Sequence, residues 1–222
     1  MAIELVAFDV GEVLVDETRM WGEWADWLGV SRLTFFAALG AVIAEGRHHG
    51  EVFERLRPGF DLAAARRLRQ AQGWSVLEPG DLYPDAGACL KRLRSLGYRV
   101  AVAANQPRRM MAASRELGIA ADLMACSEEW GVEKPAPAFF RRLIEAAGLP
   151  AARIAYVGDR IDNDVLPAQR AGMVGVFLRR GLWGLRQAAL PDAARADLTI
   201  DSLDALPDAF SRIRPPTDGA AP

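Results

Sequence analysis

Short apolar runs alternate with amphipathic stretches along most of the chain. Leu5–Phe8, Tyr98–Ala104, Leu123–Cys126, Ile154–Val157, Val174–Leu178 and Leu198–Ile200 are apolar runs that end at polar, Pro or Gly positions. Runs of this length bounded by turn signals predict buried strands. Between them, helical patterns cover Ala86–Leu96, Arg108–Leu117, Phe139–Ala147 and Pro167–Ala171, giving the βα rhythm of a parallel α/β sheet. The rhythm is interrupted once, from about Asp16 to Leu82, where only helical patterns occur. Met20, Trp21, Trp24, Trp27 and Leu28 recur at three- and four-residue steps and form one apolar helix face. Ser31 is placed to cap a helix over Leu33–Glu45, and Asp61 one over Leu62–Gln72.

Several of the strand ends carry chemistry. The run Ile154–Val157 stops at Gly158 and is followed by Asp159, Asp162 and Asp164, with Asn163 among them. Carboxylates packed together repel unless a cation lies between them. Hard oxygen ligands of this kind suit Mg²⁺, although a solvated acidic loop capping the next helix reads equally well from this segment alone. Asp9 follows Leu5–Phe8 at a second strand end, where open α/β sheets gather their ligands; by itself it reads as a cap or turn residue. Gly11 permits a sharp turn or a close backbone approach. Asn105-Gln106-Pro107 ends a third strand, and Pro107 suits the start of a helix. Lys134 sits between Glu133 and Pro135-Ala136-Pro137, a stiff turn that could aim an ammonium at Asp9 or at a phosphate. An isolated lysine is otherwise a solvated surface group.

These four segments, in this order, resemble the haloacid dehalogenase (HAD)-like hydrolase superfamily, in its helical-cap branch. Its motifs are D-x-D-G-T/V-L, a Ser or Thr ending a strand, a Lys often in K-P, and G-D-x-x-x-N-D. The likeness runs from Leu5 to about Leu206. It implies a Rossmann-like doubly wound parallel sheet over 1–15 and 83–212 and an all-helical cap domain over 16–82; the Pro-, Gly- and Ala-rich composition of the end of the chain marks 213–222 as a disordered tail. The likeness also implies a Mg²⁺-dependent phosphatase of a small phosphorylated metabolite that works through a phosphoaspartate. In that reading Asp9 is the nucleophile. Asp9, the Gly11 carbonyl, Asp159 and Asp164 hold the metal, and Lys134 and Asn105 act on the phosphoryl group. Arg19 and Trp21 of the cap are candidate substrate contacts, with Arg47, His48 and His49 also able to face the site. The histidines read more simply as a solvated helix end, and the tryptophans as core or seam.

Two departures qualify the resemblance. Gly11 stands where the family has a second Asp, which protonates the leaving group and later activates water; Glu12 follows it. Ala104 stands where the family has its hydroxyl, with Asn105 next. General acid–base help is worth about 10²–10⁴ in rate and one preorganised donor about 10²–10³, so an attenuated enzyme favouring good leaving groups is expected. Glu12 and Asn105 are the neighbouring candidates to make up the loss. An inactive phosphate- or partner-binding protein is the alternative. A metal-free 2-haloacid dehalogenase fits less well, because Asp159 and Asp164 would oppose an anionic haloacid.

Composition adds limits. In 222 residues, 27 basic against 29 acidic side chains give a net charge of −2, which argues against nucleic-acid or membrane-surface binding. No apolar stretch is long enough to span a bilayer, and the N-terminus lacks a signal-peptide pattern. Two cysteines, Cys89 and Cys126, imply neither a disulfide framework nor a thiolate metal site. A cytoplasmic monomer or homodimer acting on a small molecule is expected.

Overall fold

The computed structural model describes residues 2–213. Six parallel strands, β1 (Leu5–Phe8), β2 (Arg99–Ala104), β3 (Leu123–Cys126), β4 (Ile154–Gly158), β5 (Val174–Leu178) and β6 (Leu198–Ile200), form one sheet in the order β3-β2-β1-β4-β5-β6. Between β1 and β2 lie helices α1 (Thr18–Leu28), α2 (Arg32–Ala44), α3 (Glu51–Leu56), α4 (Leu62–Ala71) and α5 (Pro84–Ser95). After them come α6 (Arg108–Glu116), α7 (Ser127–Trp130), α8 (Pro137–Ala147), α9 (Leu166–Arg170), α10 (Gly181–Gln187) and α11 (Leu206–Ile213). Of the tail expected over 213–222, residue 213 closes α11 and the rest lies outside the described residues. No single helix among those described is long and apolar enough to cross a membrane.

Alternation along the strands builds a core on each face. Val6 and Phe8 pack with Val100, Val102 and Val157 beneath α5 and α6, through Leu90, Leu93 and Met110. Leu5 and Ala7 point the other way, joining Ala101, Ala103, Ile154 and Tyr156 beneath Phe139, Phe140 and Leu143 of α8. Both faces are therefore covered, which is why the strands read as continuous apolar runs. The sheet is doubly wound: β1 lies between β2 and β4, and the chain leaves it toward opposite edges. A crevice opens at such a switch point, beyond the carboxyl ends of β1 and β4.

The helical segment has an apolar centre of its own. Trp21, Trp24, Leu28, Phe35, Leu39, Val42 and Phe53 are buried together, and Leu182 and Trp183 of α10 pack against them. The Ser31 and Asp61 side chains accept hydrogen bonds from the Thr34 and Ala64 amides, as the capping pattern predicts. The two strands of chain joining this segment to the sheet run side by side: Asp16 N–H donates to Asp81 O at 2.7 Å and Tyr83 N–H to Leu14 O at 3.0 Å. The turn after β1 is tight, with the amides of Leu14 and Val15 both donating to Val10 O. It directs the chain back over the crevice before α1 begins.

Candidate active site

Register alone brings Asp9 and Asp159 together. Phe8 is opposite Val157 on neighbouring parallel strands, and Asp9 N–H continues the ladder to Val157 O at 2.9 Å. Each carboxylate is thus the first group past the end of its strand. Asp164 reaches the same place from a wide turn over Ile161–Val165. One oxygen from each of Asp9, Asp159 and Asp164 can be chosen so that all lie within 4.8 Å of one another. Gly158 makes this possible, because a Cβ there would run into the Asp164 side chain.

Lys134 is the counter-charge. Its ammonium, fully enclosed, is 2.9 Å from Asp9 Oδ1 and 2.6 Å from Asp164 Oδ1, and lies 5.2 Å from the centre of the Tyr156 ring. Burial works against this charge, but Asp164 and Asp9 outweigh it and hold the lysine well above its ordinary range. Tyr156 is itself locked by donating to Ala103 O at 2.6 Å. Asn105 fastens the lysine from behind: its amide donates to Lys134 O at 2.9 Å and its oxygen accepts from Lys134 N–H at 2.7 Å. Both polar ends of Asn105 are therefore engaged with the Lys134 backbone rather than directed at the carboxylates.

One lysine leaves the acidic group undercompensated. Asp164 Oδ1 also accepts from the Asn163 amide, and its Oδ2 from the Arg160 N–H. Burial raises Asp164 to about 6 despite Lys134. Asp159 fares worse: it is buried, its Oδ2 has no hydrogen-bond partner, and burial together with Asp164 and Asp9 raises it well above the carboxylate range. An orphaned buried carboxylate oxygen among other carboxylates is costly unless a cation completes it. An all-oxygen donor set of this kind fits Mg²⁺.

Other candidates are placed differently. Gly11 lies in the turn after Asp9. Trp21 is buried and lines a cavity of ≈ 810 Å³ beside the carboxylates, together with Trp24, Trp74, His49, Arg66 and Arg109. Asp9, Asp159 and Lys134 are not in that lining; Asn105 and Glu17 join the cavity to them. Arg19 does not face the cavity, since its guanidinium is paired at 2.6 Å with both Asp81 and Glu23. Arg47 is held by Glu51 at the surface. His49 is not a solvated helix end: it packs edge-on against Trp21 at 5.5 Å, in the loop before α3. Glu12 adopts a left-handed φ of 55° and turns its carboxylate to the Tyr83 hydroxyl (2.8 Å) and the Glu17 N–H (3.0 Å). Glu17 and Tyr156 are the residues that pattern reading passed over. For Glu17 the available signal was an acid just ahead of a helix, following a glycine that leaves space.

The haloacid dehalogenase-like hydrolase family model matches residues 3–172. The chain is similar to the glyceraldehyde 3-phosphate phosphatase of Methanopyrus kandleri, 34% identical over 163 residues, covering 68% of this chain and 69% of that protein. It is also similar to a phosphoglycolate phosphatase of Neisseria meningitidis, 31% identical over 137 residues, or 60% and 56% of the two chains. The crystal structure of a predicted phosphoglycolate phosphatase from Haemophilus somnus shares its fold, with a TM-score of 0.66 at 19% identity over 94% of this chain and 98% of the other. The chain belongs to the haloacid dehalogenase-like hydrolases. Its parallel-sheet fold is the one it shares with that crystal structure.

Proposed function

We propose that this hydrolase is a Mg²⁺-dependent phosphatase of a small phosphorylated metabolite. The observation that carries this reading is the orphaned Asp159 oxygen beside Asp9, with Lys134 bridging Asp9 and Asp164. Asp9 and Asp159 would hold the metal, with the Gly11 carbonyl nearby; Asp164, already saturated, would steady Lys134. When bound, the metal would neutralise charge on the phosphoryl oxygens. Asp9 is the nucleophile: its carboxylate attacks phosphorus, the ester oxygen leaves, and water then releases phosphate from the aspartyl phosphate. Lys134 offsets the charge that this transfer develops. Asn105 positions Lys134 through the backbone.

The relatives named as phosphatases of small phosphorylated metabolites support this class of substrate. The adjoining cavity supports it too, because Arg66 and Arg109 present cationic groups beside three tryptophans. A substrate carrying a second anionic or polar group beyond its phosphate suits that wall. We assign residues 16–82 to a cap that closes the cavity and sets this specificity, in a cytoplasmic enzyme. An all-carboxylate cluster opposes a metal-free dehalogenase, since it would repel a haloacid. Gly11 and Ala104 favour one other reading, a phosphate-binding protein without turnover.

The test is hydrolysis of 4-nitrophenyl phosphate with and without Mg²⁺, comparing the wild type with Asp9→Asn. Metal-dependent turnover that disappears in the variant is expected. Mg²⁺-dependent binding of a phosphate analogue without turnover would establish the binding protein instead.

A further inference from the structure

A phosphoryl ester does not release an alkoxide readily, so this site needs a proton donor at the leaving oxygen, and position 11 supplies none. The structure assigns that role to Glu17, which reaches the space beside Gly11 from the start of α1. The assignment deepens the phosphatase reading and rests on it.

The geometry is specific. A side chain at residue 11 would begin 2.5 Å from Glu17 Oε1, so the Glu17 carboxyl occupies the volume that such a side chain would fill. The missing Cβ of Gly11 is what admits it. Glu17 is held there by two hydrogen bonds at the end of a closed turn. The turn after β1 is closed by Glu12 N–H donating to Val15 O at 2.7 Å, and the Glu17 N–H donates to Glu12 Oε1 at 3.0 Å. The Trp21 indole N–H donates to Glu17 Oε2 at 3.0 Å, one helical turn on. This leaves Oε1 as the oxygen turned toward the residue-11 turn. Glu17 also lines the cavity that would hold the organic part of a substrate. It is therefore the carboxyl at the junction of cavity and nucleophile.

The neighbouring acids are committed elsewhere. Glu12 is tied to Tyr83 and to the Glu17 amide and packs against Gly181. Asp16 accepts from the Thr18 N–H at 2.8 Å, just ahead of α1. Asp164 is bound to Lys134.

The step balances as follows. The Asp9 carboxylate forms a bond to phosphorus as the phosphorus–ester oxygen bond breaks, and the leaving oxygen takes the proton of the Glu17 carboxylic acid. In the second half, water attacks phosphorus and gives its proton to the Glu17 carboxylate. Inorganic phosphate leaves and both side chains are restored.

Glu17→Gln keeps the size and the acceptor for Trp21 but removes the proton. Expected is a fall in kcat/KM of about 10²–10⁴ on an alkyl phosphate such as glycerol 3-phosphate, and less than about tenfold on 4-nitrophenyl phosphate, whose phenolate leaves unprotonated. The aryl substrate should also leave the variant one phosphoryl group heavier by intact-mass spectrometry, because water attack has lost its base. Gly11→Asp combined with Glu17→Ala should recover alkyl turnover by restoring a carboxyl to the same volume. Equal losses on both substrates, with no phosphoenzyme accumulating, would show a structural role and overturn the assignment, as would undiminished alkyl turnover. Turnover that survives Asp9→Asn would overturn the phosphatase reading, and the assignment with it.

Discussion

At the scale of single residues, the site is a charge problem solved by position. Three carboxylates converge on one buried point, and one lysine cannot neutralise them all. Asp159 carries the unsatisfied part. Asp159→Asn should therefore raise the melting temperature of the metal-free protein by about 2–4 °C, the shift that about 1 kcal/mol produces in a domain of this size. Mg²⁺ is expected to stabilise the wild type, by about 2.7 kcal/mol at one hundred times the dissociation constant, and the same variant should lose that gain. Differential scanning fluorimetry with EDTA and with Mg²⁺ reads both, and a wild type that ignores Mg²⁺ would count against the metal site. Asp9, Asp159 and Lys134 were legible in the chain, because each stands just past a recognisable strand end or just before a proline-bounded turn. Glu17 was not. Its place beside Gly11 depends on how the Val10–Glu17 turn closes, and residue types do not specify that closure.

At the scale of elements, each strand range read from apolar runs matches an observed strand to within one residue, because burial on both faces leaves an uninterrupted signal. The helices expected from periodicity are present with ends shifted by one or two residues. Four were missed: α3, α7, α10 and α11. Each is short, and α7 buries none of its residues, so neither period nor length distinguishes it from a loop. The tryptophan face of α1 proved to be both core and cavity wall. Its link to α4 is Arg69, whose guanidinium lies 4.0 Å from the Trp24 ring centre and 3.1 Å from that of Trp74, and pairs with Glu23 at 2.9 Å. Burial lowers this arginine to about 10, yet it stays charged at neutral pH. Arg69→Ala should cost about 2–3 kcal/mol, since a desolvated cation–π contact is worth about 2 kcal/mol and Glu23 loses a partner. Tryptophan fluorescence during urea unfolding would register it; an unchanged midpoint would mean that the rings pack as well without the cation.

At the scale of the whole molecule, the helical segment and the sheet meet over the site. His49 stands at that seam, beside Trp21, with Arg160 and Arg66 adding positive charge. Burial, then the neighbouring His48 and these arginines, push its imidazole down to about 4. An unfolded histidine titrates near 6.5, so between these values the unfolded chain binds the extra proton. Stability from this group is complete above about pH 6.5 and declines as the pH falls toward 4. His49→Gln should flatten that part of the profile, seen as a melting-temperature difference between wild type and variant that changes from pH 7.5 to pH 5. A constant difference would place His49 in water.

The order of apolar runs, the interruption after the first of them, and the acidic and basic residues at the strand ends were determined by the sequence itself. They are local patterns, and both the hydrophobic period and a strand's end are written in neighbouring residues. Only the tertiary structure decided that β1 and β4 lie side by side, that Asn105 clasps the Lys134 backbone, that Arg19 is engaged by Asp81, and that Glu17 fills the space Gly11 leaves. Those relations join residues through packing, and packing is a property of the folded chain as a whole rather than of any segment in it.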